Sequence, residues 1–273
     1  LWERGVTCGR CYYCTVLQEP ALCPERWAYG IHHGLEQPPH LNGSYASHLI
    51  LAPRTSLIPL PSEGDPAPYV AASCSGATAA HGFDLSPARL GDTVVIWGPG
   101  PLGAFSAALA RAAGAEQIIV IGGAPARLAL CAQMGATLTL NRRELSASQR
   151  REAVLDLTRG RGADLAVETS GTLEAAREAL DWVRSGGAVS WVGFGEPAGE
   201  MALPPFESIV RKNVRLQGVW VSDVRHTLRA VSLVRQHPEA MAALVTHRYS
   251  LAEATRALSE VASRDAMKAV LLS

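Results

Sequence analysis

The sequence predicts an α/β protein built on a doubly wound parallel sheet, and two observations carry that prediction. From about residue 76 onward, short apolar segments alternate with segments that have helical composition and spacing. Strands that are apolar throughout are typical of a parallel sheet covered by helices on both faces. In addition, a glycine-rich loop at residues 98–103 directly follows the first of these strands and precedes the first helix.

The chain divides into three predicted regions. Residues 1–75 are rich in Pro, Gly, Cys and His with short apolar pieces such as 47–53, which predicts a loop-rich β domain. Residues 76–220 form the α/β region, and residues 221–273 add a C-terminal segment. The predicted strands are 93–97, 117–121, 136–140, 163–168, 188–192 and 214–220, with a short one around Tyr249 and a closing one at 268–273; the predicted helices are 101–113, 125–134, 146–159, 173–184, 205–212, 224–236 and 251–262.

Composition favours a small molecule as the binding partner. Among 273 residues, Lys plus Arg equals Asp plus Glu at 25 each, and no basic run stands out, so neither nucleic acid nor a membrane surface is an expected partner. No apolar stretch approaches the roughly 20 residues that a membrane helix needs, and no signal peptide opens the chain, so we expect a cytoplasmic protein. The chain opens on Leu1 in what reads like the middle of a strand, so we expect upstream sequence to be missing.

The loop at 98–103 has the pattern of a dinucleotide-binding turn. Gly98 permits a tight turn, Gly100 lets the backbone approach a pyrophosphate, and Gly103 allows close packing of helix on strand. Pro101 and Leu102 open the following helix, whose N-terminus offers N–H groups to phosphates. The alternative is a glycine-rich turn without a ligand.

The end of the second strand bears on the choice between NAD and NADP. Gly122 and Gly123 stand where an acidic residue would bind the ribose 2′-hydroxyl, and Arg127 lies in the first turn of the next helix. These residues favour NADP, and Gly122→Asp is expected to shift preference toward NADH. A solvated role for Arg127 is the alternative.

Later strand ends are expected to line the same crevice. Thr169 and Ser170 would face the adenosine half of the cofactor, and Val192, Gly193 and Phe194 the nicotinamide half. Ordinary strand termination is the alternative for both turns.

Four of the six cysteines lie in one short polar segment, residues 8–23. Cys8, Cys11 and Cys14 follow a C-x-x-C-x-x-C pattern, and eight residues separate Cys14 from Cys23. Four thiolates at this spacing suit a closed tetrahedral zinc site that holds the loop in place of a hydrophobic core. The alternative is a coincidence of core cysteines.

Taken together, these motifs resemble the zinc-containing medium-chain dehydrogenase family, which includes alcohol, polyol and threonine dehydrogenases. "CGRCYYC" is similar to its structural-zinc lobe, "AASCSGATAAHGF" to its domain junction, "GDTVVIWGPGPLG" to its nucleotide fingerprint and "MKAVLL" to its last strand. Cys23 follows Cys14 at one residue more than is usual in the family. The resemblance implies a Rossmann domain, a GroES-like β-barrel catalytic domain that is only partly present here, and homodimers or homotetramers.

The resemblance also implies the chemistry. It predicts NAD(P)-dependent hydride transfer between a small alcohol or carbonyl substrate and the cofactor, with Lys268 among the cofactor contacts. A catalytic zinc would polarise the alcohol, with Cys74 as one ligand and the others upstream of the structural lobe. His32, His33 and His81 are weaker substitute ligands. A polypeptide that starts at Leu1 is therefore expected to bind about one zinc and a cofactor without oxidising alcohols.

Two rival functions remain open. One is a catalytically incomplete module that binds nucleotide and zinc. The other is a zinc-independent NADPH reductase of the same fold, against which Cys74 argues. The sequence leaves the substrate undetermined.

Overall fold

The computed structural model of the chain describes residues 1–263 and 266–272. These residues form two compact units. The sheet unit is Thr78–Trp220, and the cysteine unit is Leu1–Ala77 together with the residues from Val221 onward. The glycine-rich loop lies in the sheet unit and the four clustered cysteines lie in the cysteine unit.

The N-terminal part of the cysteine unit is mostly loop around a short two-stranded ribbon. Strand β1 (Gly5–Val6) pairs antiparallel with β2 (Trp27–Ala28), and the helical turn α1 (Tyr12–Thr15) comes between them in the chain. Helix α2 (Ala67–Ala71) continues as a π-helical turn, Ala72–Gly76. Because so little regular structure is present here, the loops depend on side-chain contacts for their shape.

The expectation that residues 47–53 belong to a β structure is wrong for the described chain. No strand forms there, and Ile50, whose N–H donates to Leu41 O at 3.1 Å, is 47% exposed. A strand needs a neighbour that pairs with its N–H and C=O groups at alternate residues, and this segment has no such neighbour among the described residues.

The sheet unit contains a six-stranded parallel sheet. Its strands are β3 (Thr93–Trp97), β4 (Gln117–Gly122), β5 (Leu138–Asn141), β6 (Ala163–Glu168), β7 (Val183–Trp191) and β8 (Arg215–Gly218). The helices of this region are α3 (Ala77–Leu85), α4 (Pro101–Ala112), α5 (Pro125–Gln133), α6 (Ala147–Leu157) and α7 (Leu173–Trp182). The strand order β5-β4-β3-β6-β7-β8 changes direction between β3 and β6, so a crevice is expected beyond the carboxyl ends of these two strands. The predicted doubly wound sheet is confirmed.

Two predicted boundaries are wrong because β7 is longer than its apolar core. The helix expected over 173–184 ends at Trp182, and Val183 turns extended and pairs with Ala163 of β6. The strand was expected to begin at Ala188, which pairs with Leu165 after an irregularity in the register.

The helix expected over 205–212 is a π-helical turn, Phe206–Val210.

A buried ion pair links α6 to α7 and contacts the end of β3. Arg150 of α6 donates to Glu178 of α7 with an N–O distance of 2.6 Å, and these side chains are 6% and 12% exposed. The other carboxylate oxygen of Glu178 accepts the indole N–H of Trp97, the last residue of β3, at 2.7 Å. The Arg150 guanidinium also lies 6.0 Å from the ring centre of Trp182. The ion pair therefore fixes the strand end from which the glycine-rich loop departs.

The C-terminal part of the cysteine unit follows the predicted order, with one additional short helix, Pro238–Ala242, that was not predicted. Its elements are α8 (Val224–Gln236), α9 (Pro238–Ala242), β9 (His247–Ser250), α10 (Ala254–Ala262) and β10 (Ala269–Leu272), with β9 and β10 parallel. Among the described residues, no helix combines the length and the apolar character that crossing a membrane requires.

Candidate functional site

The glycine-rich loop forms a tight turn at the carboxyl end of β3. Gly98 has φ of +109°, which L side chains rarely adopt, and a Cβ there would lie 2.9 Å from Thr169 Oγ1. A Cβ on Gly103 would overlap Gly98 O. Both positions therefore require glycine for steric reasons.

The N-terminus of α4 is open toward the region in front of this turn. Gly100 is its N-cap in extended conformation (φ −79°, ψ −177°), no side chain caps the helix, and its first turn has no acidic residue. Pro101 occupies the first helical position, where its missing N–H costs nothing. A Cβ on Gly100 would meet no atom within 4 Å. The uncapped N–H groups, the positive end of the helix dipole and the open space fit a pyrophosphate.

The turn after β4 differs from the arrangement predicted from the sequence. A Cβ on Gly122 would overlap the ring of Pro99, so Gly122→Asp would distort the glycine-rich turn as well as add charge. A Cβ on Gly123 would lie 3.2 Å from Nε of Arg143 and 3.3 Å from Nε of Arg142. Sequence reasoning missed these two arginines, although two consecutive cations directly after a strand that neighbours β4 were a usable signal.

Arg127 is placed in α5 as expected and is half-buried. It has an interaction within the chain. Contact of Arg127 with a cofactor stays a prediction.

The end of β6 supports the glycine turn through its side chains. The Thr169 hydroxyl shares its one hydrogen between two carbonyl oxygens, Trp97 O at 2.7 Å and Gly98 O at 2.9 Å. The Ser170 hydroxyl donates to Oε1 of Glu168 at 2.6 Å. Both hydroxyl groups thus stabilise the crevice wall, and their contact with an adenosine stays a prediction.

Glu168, the last residue of β6, is a buried acid that sequence reasoning also missed. Its side chain is fully buried, and Oε1 also accepts the N–H groups of Ser170 and Gly171 at 2.6 and 2.9 Å. Oε2 has no hydrogen-bond partner in the described chain. Burial raises the pKa of Glu168 above its ordinary value of 4.5, against the opposing effect of the bonds to Ser170. The sequence signal that could have identified Glu168 was an acidic residue at the end of an otherwise apolar strand.

The end of β7 packs tightly against this carboxyl group. Val192 and Gly193 both donate N–H bonds to Glu168 O, at 2.9 and 3.0 Å. A Cβ on Gly193 would lie 2.7 Å from Glu168 Oε2, so close packing requires glycine here. Phe194 is half-buried and contacts Trp191 edge to face at 6.0 Å. The three residues expected near a nicotinamide thus line one turn at the carboxyl edge of the sheet.

The four clustered cysteines converge in the cysteine unit. The sulfur atoms of Cys8, Cys11, Cys14 and Cys23 all lie within 4.8 Å of one another. Bonds of about 2.3 Å to a tetrahedral zinc place sulfur atoms roughly 3.8 Å apart, so small side-chain rotations bring all four to one ion. The donor set and its closed arrangement fit a structural zinc.

Backbone turns bring these sulfurs together. Gly9 has φ of +67° and turns the chain after Cys8, whose sulfur accepts the N–H of Arg10. Farther on, Gln18 has φ of +56°, and the Cys23 sulfur accepts the N–H of Cys8 at 3.4 Å. The loop thus accommodates the extra residue before Cys23.

The pKa values of the thiols differ within the cluster. The Arg10 N–H lowers the pKa of Cys8 to about 7, whereas burial raises the pKa of Cys14 and raises that of Cys23 to about 12. Cys14 and Cys23 therefore hold their protons more firmly than ordinary thiols, and binding a metal must release protons.

The remaining predicted site residues lie in the cysteine unit, except His81. Among the described residues, the metal-capable cluster consists of the four cysteines alone and includes neither Cys74 nor a histidine. His32 Nδ1 accepts the N–H of Ala28 at 3.0 Å, and His33 stacks on Trp27 at 4.5 Å. His81 is buried in α3 and has an interaction within the chain. Lys268 directly precedes β10, and its carbonyl accepts the N–H of Thr246 at 3.1 Å.

A dinucleotide-type turn on a doubly wound sheet and a four-cysteine lobe upstream of it define a class of protein. A profile described as zinc-binding dehydrogenase matches residues 101–235, and the chain belongs to this family. It is 31% identical to 5-exo-hydroxycamphor dehydrogenase of Pseudomonas putida over 273 residues, which cover 99% of this chain and 74% of that protein.

Solved structures agree with this assignment. An alcohol dehydrogenase of Thermotoga maritima shares 45% identity with a TM-score of 0.95, over 99% of this chain and 74% of that one. A structure from Sinorhizobium meliloti, described as a zinc-binding dehydrogenase bound to NADP, shares 26% identity with a TM-score of 0.79, over 99% of this chain and 75% of that one. These relatives confirm the predicted family and the predicted enzyme class, an NAD(P)-dependent oxidoreductase. Zinc and a nicotinamide dinucleotide are accordingly the expected cofactors.

Proposed function

We propose that the chain transfers hydride between a small alcohol or carbonyl substrate and NADP or NAD, as a zinc alcohol dehydrogenase or ketone reductase. The observation that carries this proposal is the open N-terminus of α4 behind the Gly98 turn, at the carboxyl edge of a parallel sheet. The names of the relatives support the substrate class, because they are a hydroxycamphor dehydrogenase and an alcohol dehydrogenase.

Each part of the crevice has a proposed role toward the cofactor. Gly98, Gly100 and Gly103, with Pro101 and Leu102, hold the pyrophosphate. Thr169 and Ser170 shape the wall on the adenosine side, and Val192, Gly193 and Phe194 receive the nicotinamide. The bound nicotinamide supplies the hydride acceptor or donor. Lys268 is an additional proposed contact, as the resemblance implies.

Two metal roles are proposed. Cys8, Cys11, Cys14 and Cys23 hold a structural zinc, which ties the loop between β1 and β2 and leaves no position open for substrate. Cys74 is proposed as one ligand of a catalytic zinc. Such an ion supplies Lewis-acid polarisation of the alcohol oxygen. One thiolate does not hold an ion in an open tetrahedral site by itself, so Cys74 must act together with further ligands.

We further propose a cytoplasmic location and a homodimeric or homotetrameric assembly. All six cysteines are unpaired, which is the usual state in a reducing compartment. The assembly is proposed from the family resemblance.

A hydride-transfer assay tests the proposed activity. The protein is incubated with a panel of small secondary alcohols and NADP⁺ or NAD⁺, and with the matching ketones and reduced cofactors, while reduced nicotinamide is measured. Because Cys74 needs further zinc ligands, we expect turnover only in protein that also carries them; there a zinc chelator should abolish turnover, and Cys74→Ser should lower it at least about 100-fold without changing nucleotide affinity. Cys131→Ala is the matched control, because Cys131 is a buried cysteine outside the cluster.

The same assay separates the rival functions. Nucleotide binding without hydride transfer to any member of the panel would favour a catalytically incomplete binding module. Turnover that withstands both chelation and Cys74→Ser would favour a zinc-independent reductase.

A further inference from the structure

Two arginine side chains converge above the turn that follows β4. The Nε atoms of Arg142 and Arg143 lie 3.3 and 3.2 Å from the position of a Cβ on Gly123. The backbone under them is fixed, because Arg142 N–H donates to Gly122 O at 2.8 Å and Arg143 N–H donates to Asn141 Oδ1 at 3.0 Å. Both arginines are exposed. The two cations are therefore held at one place, beside the strand end at which the family's cofactor choice is expected to be made.

Neither of these cations pairs with an anion among the described residues. Within the described residues, neither guanidinium forms an ion pair or a side-chain hydrogen bond. The nearby acid Glu144 accepts a bond from Asn141 Nδ2 instead, at 2.5 Å. Two like charges brought this close repel each other, and an anion between them reverses the sign of that interaction. The pair therefore matches a compact, multiply charged anion.

The surroundings of Gly123 fit a phosphate group. No acidic side chain stands at Gly122 or Gly123, so nothing there repels a phosphate or occupies the arginines. Gly123 does not carry a positive φ, so glycine is not required there by the backbone. Because Gly123 has no side chain, the Nε atoms of both arginines approach the backbone of this turn closely.

We propose that Arg142 and Arg143 bind the 2′-phosphate of NADP(H) and make this chain selective for NADP(H) over NAD(H). The inference rests on the proposed nucleotide site and names the residues that choose between its two ligands. Guanidinium groups suit this role because their planar, fixed donors bind phosphate oxygens in pairs. The arginines come from the loop after β5, not from α5, where the sequence had pointed to Arg127.

Calorimetric titration with NADPH and NADH tests the proposal. We expect the parent protein to bind NADPH at least about tenfold more tightly than NADH, since charge-assisted bonds to phosphate add affinity. The double variant Arg142→Gln with Arg143→Gln should lose at least about 30-fold in NADPH affinity and less than about threefold in NADH affinity. Arg161→Gln is the matched control, because Arg161 is exposed and lies just before the amino end of β6, whereas Arg142 and Arg143 follow the carboxyl end of β5.

A gain of charge at Gly123 gives a second test. Gly123→Asp would place a carboxylate between the two arginines, where it pairs with them and repels phosphate, so NADPH should lose its advantage while NADH binding persists. Gly123→Asn has the same shape without the charge and should keep most of the NADPH preference. The contacts that either side chain must make are with flexible arginine ends.

Fragments of the cofactor locate the contact. Adenosine 2′,5′-bisphosphate should bind the parent protein more tightly than 5′-AMP, and the double variant should abolish that difference. Inorganic phosphate alone should not show a difference in affinity between the parent protein and the double variant.

The outcomes distinguish the inference from the function on which it rests. Equal NADPH affinity in the parent and the double variant, or tighter binding of NADH by the parent, would overturn the assignment of the arginines while NADH binding still supports the nucleotide site. Binding of neither nucleotide by the parent would overturn both.

Discussion

Removing Glu178 should destabilise the sheet unit strongly, because Arg150 would remain as a buried charge without its anionic partner. Arg150 and Glu178 are 6% and 12% exposed, so solvent screens their interaction little. Breaking a buried pair of this kind costs about 3–5 kcal/mol, and the lost acceptor of the Trp97 indole adds about 1 kcal/mol. We therefore expect Glu178→Ala to lower the free energy of unfolding by about 4–6 kcal/mol.

Three further variants separate charge from hydrogen bonding. Glu178→Gln keeps an acceptor for Trp97 but removes the charge, so its cost should be smaller, about 2–3 kcal/mol. Arg150→Met alone should leave the carboxylate unpaired and resemble Glu178→Ala. The double variant Arg150→Met with Glu178→Leu replaces the pair by apolar groups and should recover to within about 1–2 kcal/mol of the parent.

Urea unfolding followed by tryptophan fluorescence measures these differences, since Trp97 and Trp182 both lie at the ion pair. A thermal scan of Glu178→Ala should show a midpoint lowered by about 8–24 °C, at about 2–4 °C for each kcal/mol. A cost below about 1 kcal/mol for Glu178→Ala, or a double variant no more stable than the single ones, would refute the reasoning.

The remaining predictions concern the metal lobe and the buried acid. Cys11→Ser should lose about one zinc per chain by metal analysis and unfold more easily, while Cys131→Ala should retain its zinc; equal zinc in both variants would contradict the ligand assignment. Zinc should also leave the parent protein progressively as pH falls, because protons compete for the thiolates, and a zinc content independent of pH would argue against sulfur ligation. Glu168 has a folded-state pKa raised above 4.5, so its stabilisation is fully present below pH 4.5 and is lost as pH rises through the folded pKa. Measured against Glu168→Gln, which cannot titrate, the parent's free energy of unfolding should therefore fall as pH rises above 4.5, and parallel pH profiles would contradict that account.

Much of the fold follows from local patterns in the sequence. The strand Thr93–Trp97 is predicted at its observed bounds because its five residues favour β structure, and all five are buried in the fold. Helix Val224–Gln236 is equally well defined, since Asp223 and His226 form a capping box at its start. Ends that depend on tertiary partners were less predictable. Val183 leaves its helix only because Ala163 lies beside it in space.

Site residues were predictable where one short segment carries the whole motif, and not where residues distant in sequence meet in the fold. Glycine spacing and cysteine spacing identified Gly98, Gly100, Gly103 and the four clustered cysteines as candidates. Arg142 and Arg143 escaped, because they reach Gly123 across the β4–β5 pairing, which sequence spacing does not reveal. For the same reason, the overlap of a Gly122 side chain with Pro99 could not be read from the sequence.

The central claim is that the pyrophosphate of a nicotinamide cofactor lies in front of Gly100, and Gly100→Val tests it most directly. The added side chain would meet no protein atom at its Cβ and needs no positive φ, so the fold should be preserved while the phosphate space is filled. Gly218→Val is the control, because a Cβ there also meets open space. In calorimetric titrations with NADPH, we expect the parent and Gly218→Val to bind alike and Gly100→Val to bind at least about 100-fold more weakly, with all three unfolding at the same temperature. Parent-like NADPH binding by Gly100→Val would contradict the account.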